Sequence, residues 1–62
     1  MLNTDPNIPH PDDFYAALLA IHEGRSPEES ARINARLILL LANQIGDSDI
    51  LHEALQKACD TA

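Results

Sequence analysis

Ser26-Pro27-Glu28-Glu29-Ser30-Ala31-Arg32-Ile33-Asn34-Ala35-Arg36-Leu37-Ile38-Leu39-Leu40-Leu41-Ala42-Asn43-Gln44-Ile45 is the stretch that decides the fold of this chain. Ser26-Pro27-Glu28-Glu29 is a complete capping box with proline at the first helical position, where its missing N–H costs nothing. Gly46 follows Ile45 and suits the left-handed conformation that closes a helix. Between these signals the apolar side chains cover most of the circumference. With Ile33 at 0°, the run of Leu40, Ile33, Leu37, Leu41, Ile45, Ile38 and Ala42 spans about −20° to 180° at the helical period. Ala35 and Leu39 extend that arc, and Arg32, Arg36 and Asn43 form the polar seam. Asn34 and Gln44 sit within the arc, where polar groups either bond locally or set the register between chains.

Two shorter helices flank this one. Pro11-Asp12-Asp13 predicts the start of a first helix, because proline fits the first turn and carboxylates favour the helix N-terminus. Phe14, Tyr15, Leu18, Leu19 and Ile21 make its apolar arc, and Gly24 is its expected end. Asp47 or Ser48 caps a third helix, whose narrow stripe is Leu51, Ala54, Leu55 and Ala58. Glu53 and Lys57 have the i,i+4 spacing of a favourable pair. No strand is expected, since Val is absent and no apolar/polar alternation persists. The links Gly24-Arg25 and Gly46-Asp47 are very short, which favours antiparallel neighbours. The expected fold is therefore all-α: a helical hairpin of the first two helices plus a short third helix, over residues 11–62. Residues 1–10, with Pro6 and Pro9, read as an extended N-terminal arm that Leu2 and Ile8 can tack onto the body or a partner.

Size and charge narrow the function classes. Sixty-two residues make one domain at most. Chains this small bury only about 60% of their unfolded surface and usually need a staple or a partner. Cys59 is the one cysteine, so no internal disulfide serves as that staple, and a lone thiol fits a reducing cytoplasm. Ten acidic residues against four basic ones give a formal charge of −6. That charge argues against nucleic acid and against an anionic membrane surface as partners. The apolar runs Ala16–Ile21 and Leu37–Ala42 fall far short of the roughly 20 residues of a membrane span. No secretory signal is read at the N-terminus, and the expected location is cytoplasmic.

No catalytic or cofactor motif of any strength is present. Tyr15, Asp12 and Asp13 have acid/base chemistry but no sign of a water-excluding pocket. Ile21-His22-Glu23 and Leu51-His52-Glu53 lack the second histidine, four residues on, that a helical zinc motif requires. His22 falls inside the apolar arc and reads as a packed, hydrogen-bonded residue. His52 and Cys59 share a helix face, but two ligands do not make a site. Gly46-Asp47-Ser48-Asp49 has the look of a carrier-protein attachment site, yet Asp49 replaces the hydrophobic residue needed there, and a helix cap explains the same residues. Arg32 and Arg36 are one turn apart. Glu28 and Glu29 are spaced to answer Arg32, which would leave a solvated seam; the other reading is that the pair docks a carboxylate or phosphate of a partner.

Pro11-Asp12-Asp13-Phe14-Tyr15-Ala16-Ala17-Leu18-Leu19, together with Leu37-Ile38-Leu39-Leu40-Leu41-Ala42-Asn43 and Ile45-Gly46-Asp47, resembles a family of small bacterial domains of unknown function. The resemblance covers nearly the whole chain. It implies a small helical stand-alone protein. Some members lie beside genes for flavin-dependent oxidoreductases or aromatic-ring hydroxylases, which implies an accessory to such an enzyme. It supplies no catalytic residues, and this sequence has no flavin-binding fingerprint.

The expected function is a non-catalytic protein–protein interaction module, homodimeric, with no cofactor and no metal of its own. Its interface is expected on Ala35, Ile38, Leu39, Ala42 and Ile45, with Arg32 and Arg36 as polar docking residues, and a larger enzyme is a further expected partner. Two other classes fit the residues. One is a small metal- or ligand-binding protein that assembles His22, His52 and Cys59 at a subunit interface. The other is an acidic inhibitor-like protein that occupies a basic site on its target.

Overall fold

The structure, a computed structural model, describes residues 1–62. It is all-α, as the sequence predicts, with helices α1 (Pro11–Ala20), α2 (Pro27–Ile45) and α3 (Ser48–Thr61). Residues 1–10 carry no helix or strand.

Each helix end has a local cause. The Ser26 hydroxyl accepts from the Glu29 backbone N–H at 3.2 Å, and the Ser26 N–H donates to Glu29 Oε1 at 3.1 Å. That reciprocal pair satisfies two donors that the first turn of α2 leaves free. Gly46 ends α2 with φ 64°, and its N–H donates to Ala42 O. A Cβ at this φ would press on the adjoining carbonyl, which is why glycine serves here. Asp47 caps α3, its Oδ1 accepting from the N–H groups of Asp49 and Ile50 at 3.0 and 3.1 Å.

Helix α1 ends earlier than Gly24 suggests. The regular ladder stops at Ala20, and the chain then tightens: His22, Glu23 and Arg25 donate to carbonyls only three residues back. Gly24, with φ 70°, lies in this turn and not directly after the helix. At the other end His10 adopts φ 54° and ψ 58°, a left-handed conformation that histidine visits more readily than most non-glycine residues. Its carbonyl accepts from Asp13 and Phe14, so it caps α1 through the backbone alone.

Packing centres on α2 and α3, the one pair of helices whose Cα atoms come within 8 Å of each other. The pairing expected of the first two helices is thus found between the last two, because residues 21–26 separate α1 from α2 whereas only Gly46 and Asp47 separate α2 from α3, and α1 is the shortest helix. Helix α1 is held to α2 across the turn, where His22 Nδ1 and Ser30 Oγ lie 2.8 Å apart. The arm is tied to α3: the Leu2 N–H donates to Glu53 Oε2 at 3.2 Å, and the Leu2 side chain is half-buried. Ile8 stays 55% exposed. Glu53 thus serves the arm and forms no ion pair with Lys57, a correction to the spacing argument.

The covered strip is narrow. Leu18, His22, Ser30, Ile33, Leu37, Ile50, Leu51 and Ala54 are half-buried, and no residue of the chain is fully buried. The radius of gyration is 13.2 Å, against roughly 10.5 Å for a compact chain of this length.

Two consequences of these local bonds are measurable. Ser26→Ala is expected to lower unfolding stability by about 1 kcal/mol, seen as a lower urea midpoint by circular dichroism. Glu29 adds a pH signature. The Ser26 backbone N–H, then the Ser26 hydroxyl, then Arg25 favour its charged form and hold its pKa below the ordinary carboxylate value. The folded pKa is depressed, so this stabilisation is present above the unfolded value of about 4.3 and is lost as pH falls through the folded one. Glu29→Gln is expected to flatten that acid limb of the stability curve; an unchanged limb would assign it to other carboxylates. Ser30→Ala removes the partner of His22 and is expected to cost about 1 kcal/mol by the same urea assay.

Candidate functional site

The candidate surface is the side of α2 that the rest of the chain does not reach. Its elements follow from the helical period. Ile33 and Leu37 turn inward and are half-buried. Ile38, Leu39 and Ile45 are 61%, 70% and 50% exposed, and Ala35 is also exposed. Ala42 is half-buried within the chain, so only part of its methyl is offered outward.

The open face is wider than the wheel suggests. Leu40 and Leu41, which the sequence assigns to the inner half of the arc, are 66% and 48% exposed. The cause is the placement of α1, whose Cα atoms nowhere approach those of α2 or α3 within 8 Å. Helix α1 leaves its own apolar residues open as well: Phe14, Tyr15, Leu19 and Ile21 are 42–61% exposed. Helical periodicity identifies an apolar arc but not how much of it a neighbour will cover. The only signal for these extra residues was the small number of side chains available to do the covering.

The charged edge of this face is rearranged too. Glu29 Oε2 lies 3.7 Å from Arg25 Nη1, and this is the one ion pair in the chain. Arg32 is therefore not answered by Glu28 or Glu29, because Glu29 is occupied by the cap and by Arg25. Arg32 and Arg36 carry their charge free. Arg25, Glu29, Arg32, Ile33 and Arg36 line one shallow depression, and Arg36, Leu39, Leu40 and Asn43 line the next. Both are open to water. Together they form one strip along α2, basic toward its N-terminal half and apolar toward its C-terminal half.

The histidines and the cysteine lie apart from this strip in their chemistry. His22 is bonded to Ser30, and Cys59 is exposed. No three His, Cys, Asp or Glu side chains are grouped so as to hold a metal ion within one chain. No helix is long and apolar enough to cross a membrane. The arrangement can bury apolar area against another surface and offer two guanidinium groups to an anion.

No curated protein and no solved structure matches the chain. A family profile does match, over residues 2–60, and its description is a protein of unknown function. The match takes in the arm from Leu2 and all three helices almost to the end of α3, so the chain belongs to the DUF2783 family.

Proposed function

We propose that this chain is a non-catalytic protein–protein interaction module that works as a homodimer, with Ala35, Ile38, Leu39, Ala42 and Ile45 of α2 in the interface. One observation carries this reading. The accessible surface is 5563 Å², whereas a folded chain of this mass has roughly 4,000 Å². The surplus is roughly 1,600 Å², and obligate interfaces start near 1,000 Å² per partner. Leu39, Leu40 and Ile38 on α2 are 61–70% exposed, matched among the other apolar side chains only by Met1, Leu55 on α3 and Tyr15 on α1, so the uncovered apolar surface is concentrated around α2. Patches of this kind mark association surfaces on small folded chains.

The accessory part of the proposal is that the dimer holds or stabilises a larger enzyme. A flavin-dependent oxidoreductase is the class that the family resemblance implies. A tagged chain recovered from its native host is expected to bring a flavoprotein with it; repeated recovery without one removes the accessory part and leaves the dimer.

Sedimentation equilibrium at micromolar concentration is expected to give twice the chain mass. A cooperatively folded monomer under those conditions overturns the dimer. Leu39 makes little contact within its own chain, so Leu39→Glu is expected to keep the helix content. It should raise the dimer Kd by at least about thirtyfold, the equivalent of one large apolar side chain left uncovered. Loss of folding without a separable monomer would instead place Leu39 in the internal core.

A further inference from the structure

We propose that the acidic first turn of α1 in one copy docks on the free Arg32–Arg36 pair of α2 in the other. This contact rests on the homodimer reading and specifies its register. Two surfaces are left without a helical neighbour inside the chain, and they match. On α1, Asp12, Tyr15 and Leu19 follow the i, i+3, i+7 spacing and share one face. All three are exposed, and Asp12 forms no ion pair. On α2, Arg32, Arg36 and Leu39 have the i, i+4, i+7 spacing of one face, also exposed and with both guanidiniums unpaired.

The lengths agree as well as the charges. Asp12 to Leu19 and Arg32 to Leu39 are both seven residues, a rise of about 10 Å. Laid side by side in the same direction, the two helices bring carboxylate to guanidinium at one end and leucine to leucine at the other. The opposite direction would put Leu19 against the arginines. Two-fold symmetry makes the contact twice, since each copy offers one α1 and one α2. It also adjoins the apolar interface through Leu39, which belongs to both. In a chain of net charge −6, two unpaired arginines beside exposed leucines favour an acidic helix with exposed apolar side chains; α1 and α3 are both acidic, and α1 is the one with no helical neighbour in its own chain.

A charge exchange tests this. Arg32→Glu/Arg36→Glu and Asp12→Lys/Asp13→Lys are made separately, each with helix content checked by circular dichroism. Each alone is expected to raise the dimer Kd by at least about tenfold, because like charges then face each other in both contacts. An equimolar mixture of the two is expected to form a heterodimer within about threefold of the wild-type affinity, because both contacts are again complementary. Loss of helix in the lysine variant is met by a second measurement on Asp12→Asn/Asp13→Asn. The wild-type Kd is expected to rise from about 50 to about 500 mM salt, and the asparagine variant is expected to lose most of that dependence. The contact is overturned if the variants dimerise as wild type does, if their mixture stays monomeric, or if salt affects wild type and the asparagine variant alike. A dimer that survives every charge variant removes this register but leaves the homodimer; a monomeric wild type removes both.

Discussion

The structure depends on a mismatch between the circumference of α2 and the chain available to enclose it. A helix that is apolar through more than half its turn needs neighbours on several sides. Here α3 supplies one neighbour of 14 residues, and α1, with 10 residues, stays at a distance. What α3 and the turn cover is a narrow strip around Ile33 and Leu37. Small domains are short of interior for a geometric reason, since surface falls more slowly than volume as a chain shrinks. In this molecule the shortage reaches its limit, with no side chain fully withdrawn from water.

The helices are secured by short-range bonds more than by packing. Ser26, Glu29, Asp47 and Gly46 each close a helix end with a partner at most four residues away. Such bonds survive in a chain whose interior is thin because they need no distant element to be in place. They also explain why α2 and α3 persist as distinct helices across a connection of only Gly46 and Asp47. The charge distribution works in the same local way. Its one ion pair spans a single helical turn, from Arg25 to Glu29, and leaves the remaining charges facing solvent.

That locality determines what the sequence could disclose. The capping box at Ser26 and the stop at Gly46 were legible, because residue type and spacing within four positions settle them; the cap of α3 was narrowed to Asp47 or Ser48, and the structure assigns it to Asp47. The end of α1 was not: Gly24 carries the expected left-handed φ, but the helix had already tightened into three-residue turns after Ala20. Glu29 had two arginines within reach, and the cap oriented its carboxylate toward Arg25. Glu53 had Lys57 one turn away, yet the backbone of Leu2 reached it from the far end of the chain. Choices of this kind depend on where elements sit in space, which spacing does not encode. The same holds for the candidate surface. Ile38, Leu39 and Ile45 were recognisable from the wheel, while the exposure of Leu40 and Leu41 followed from how far away α1 came to rest.

The tie between Leu2 and Glu53 has a thermodynamic side of its own. It joins residues 51 positions apart. Closing a free loop of that length costs on the order of 3 kcal/mol or more, whereas one exposed hydrogen bond returns about 1 kcal/mol. The bond is therefore too weak to gather an unfolded chain. It forms once the intervening helices and the turn at residues 21–26 are in place and bring that carboxylate within reach, so that only the arm itself remains to be ordered. The arm is a dependent of the helical pair: when α3 loosens, the arm is released with it, and the half-covered Leu2 returns to water.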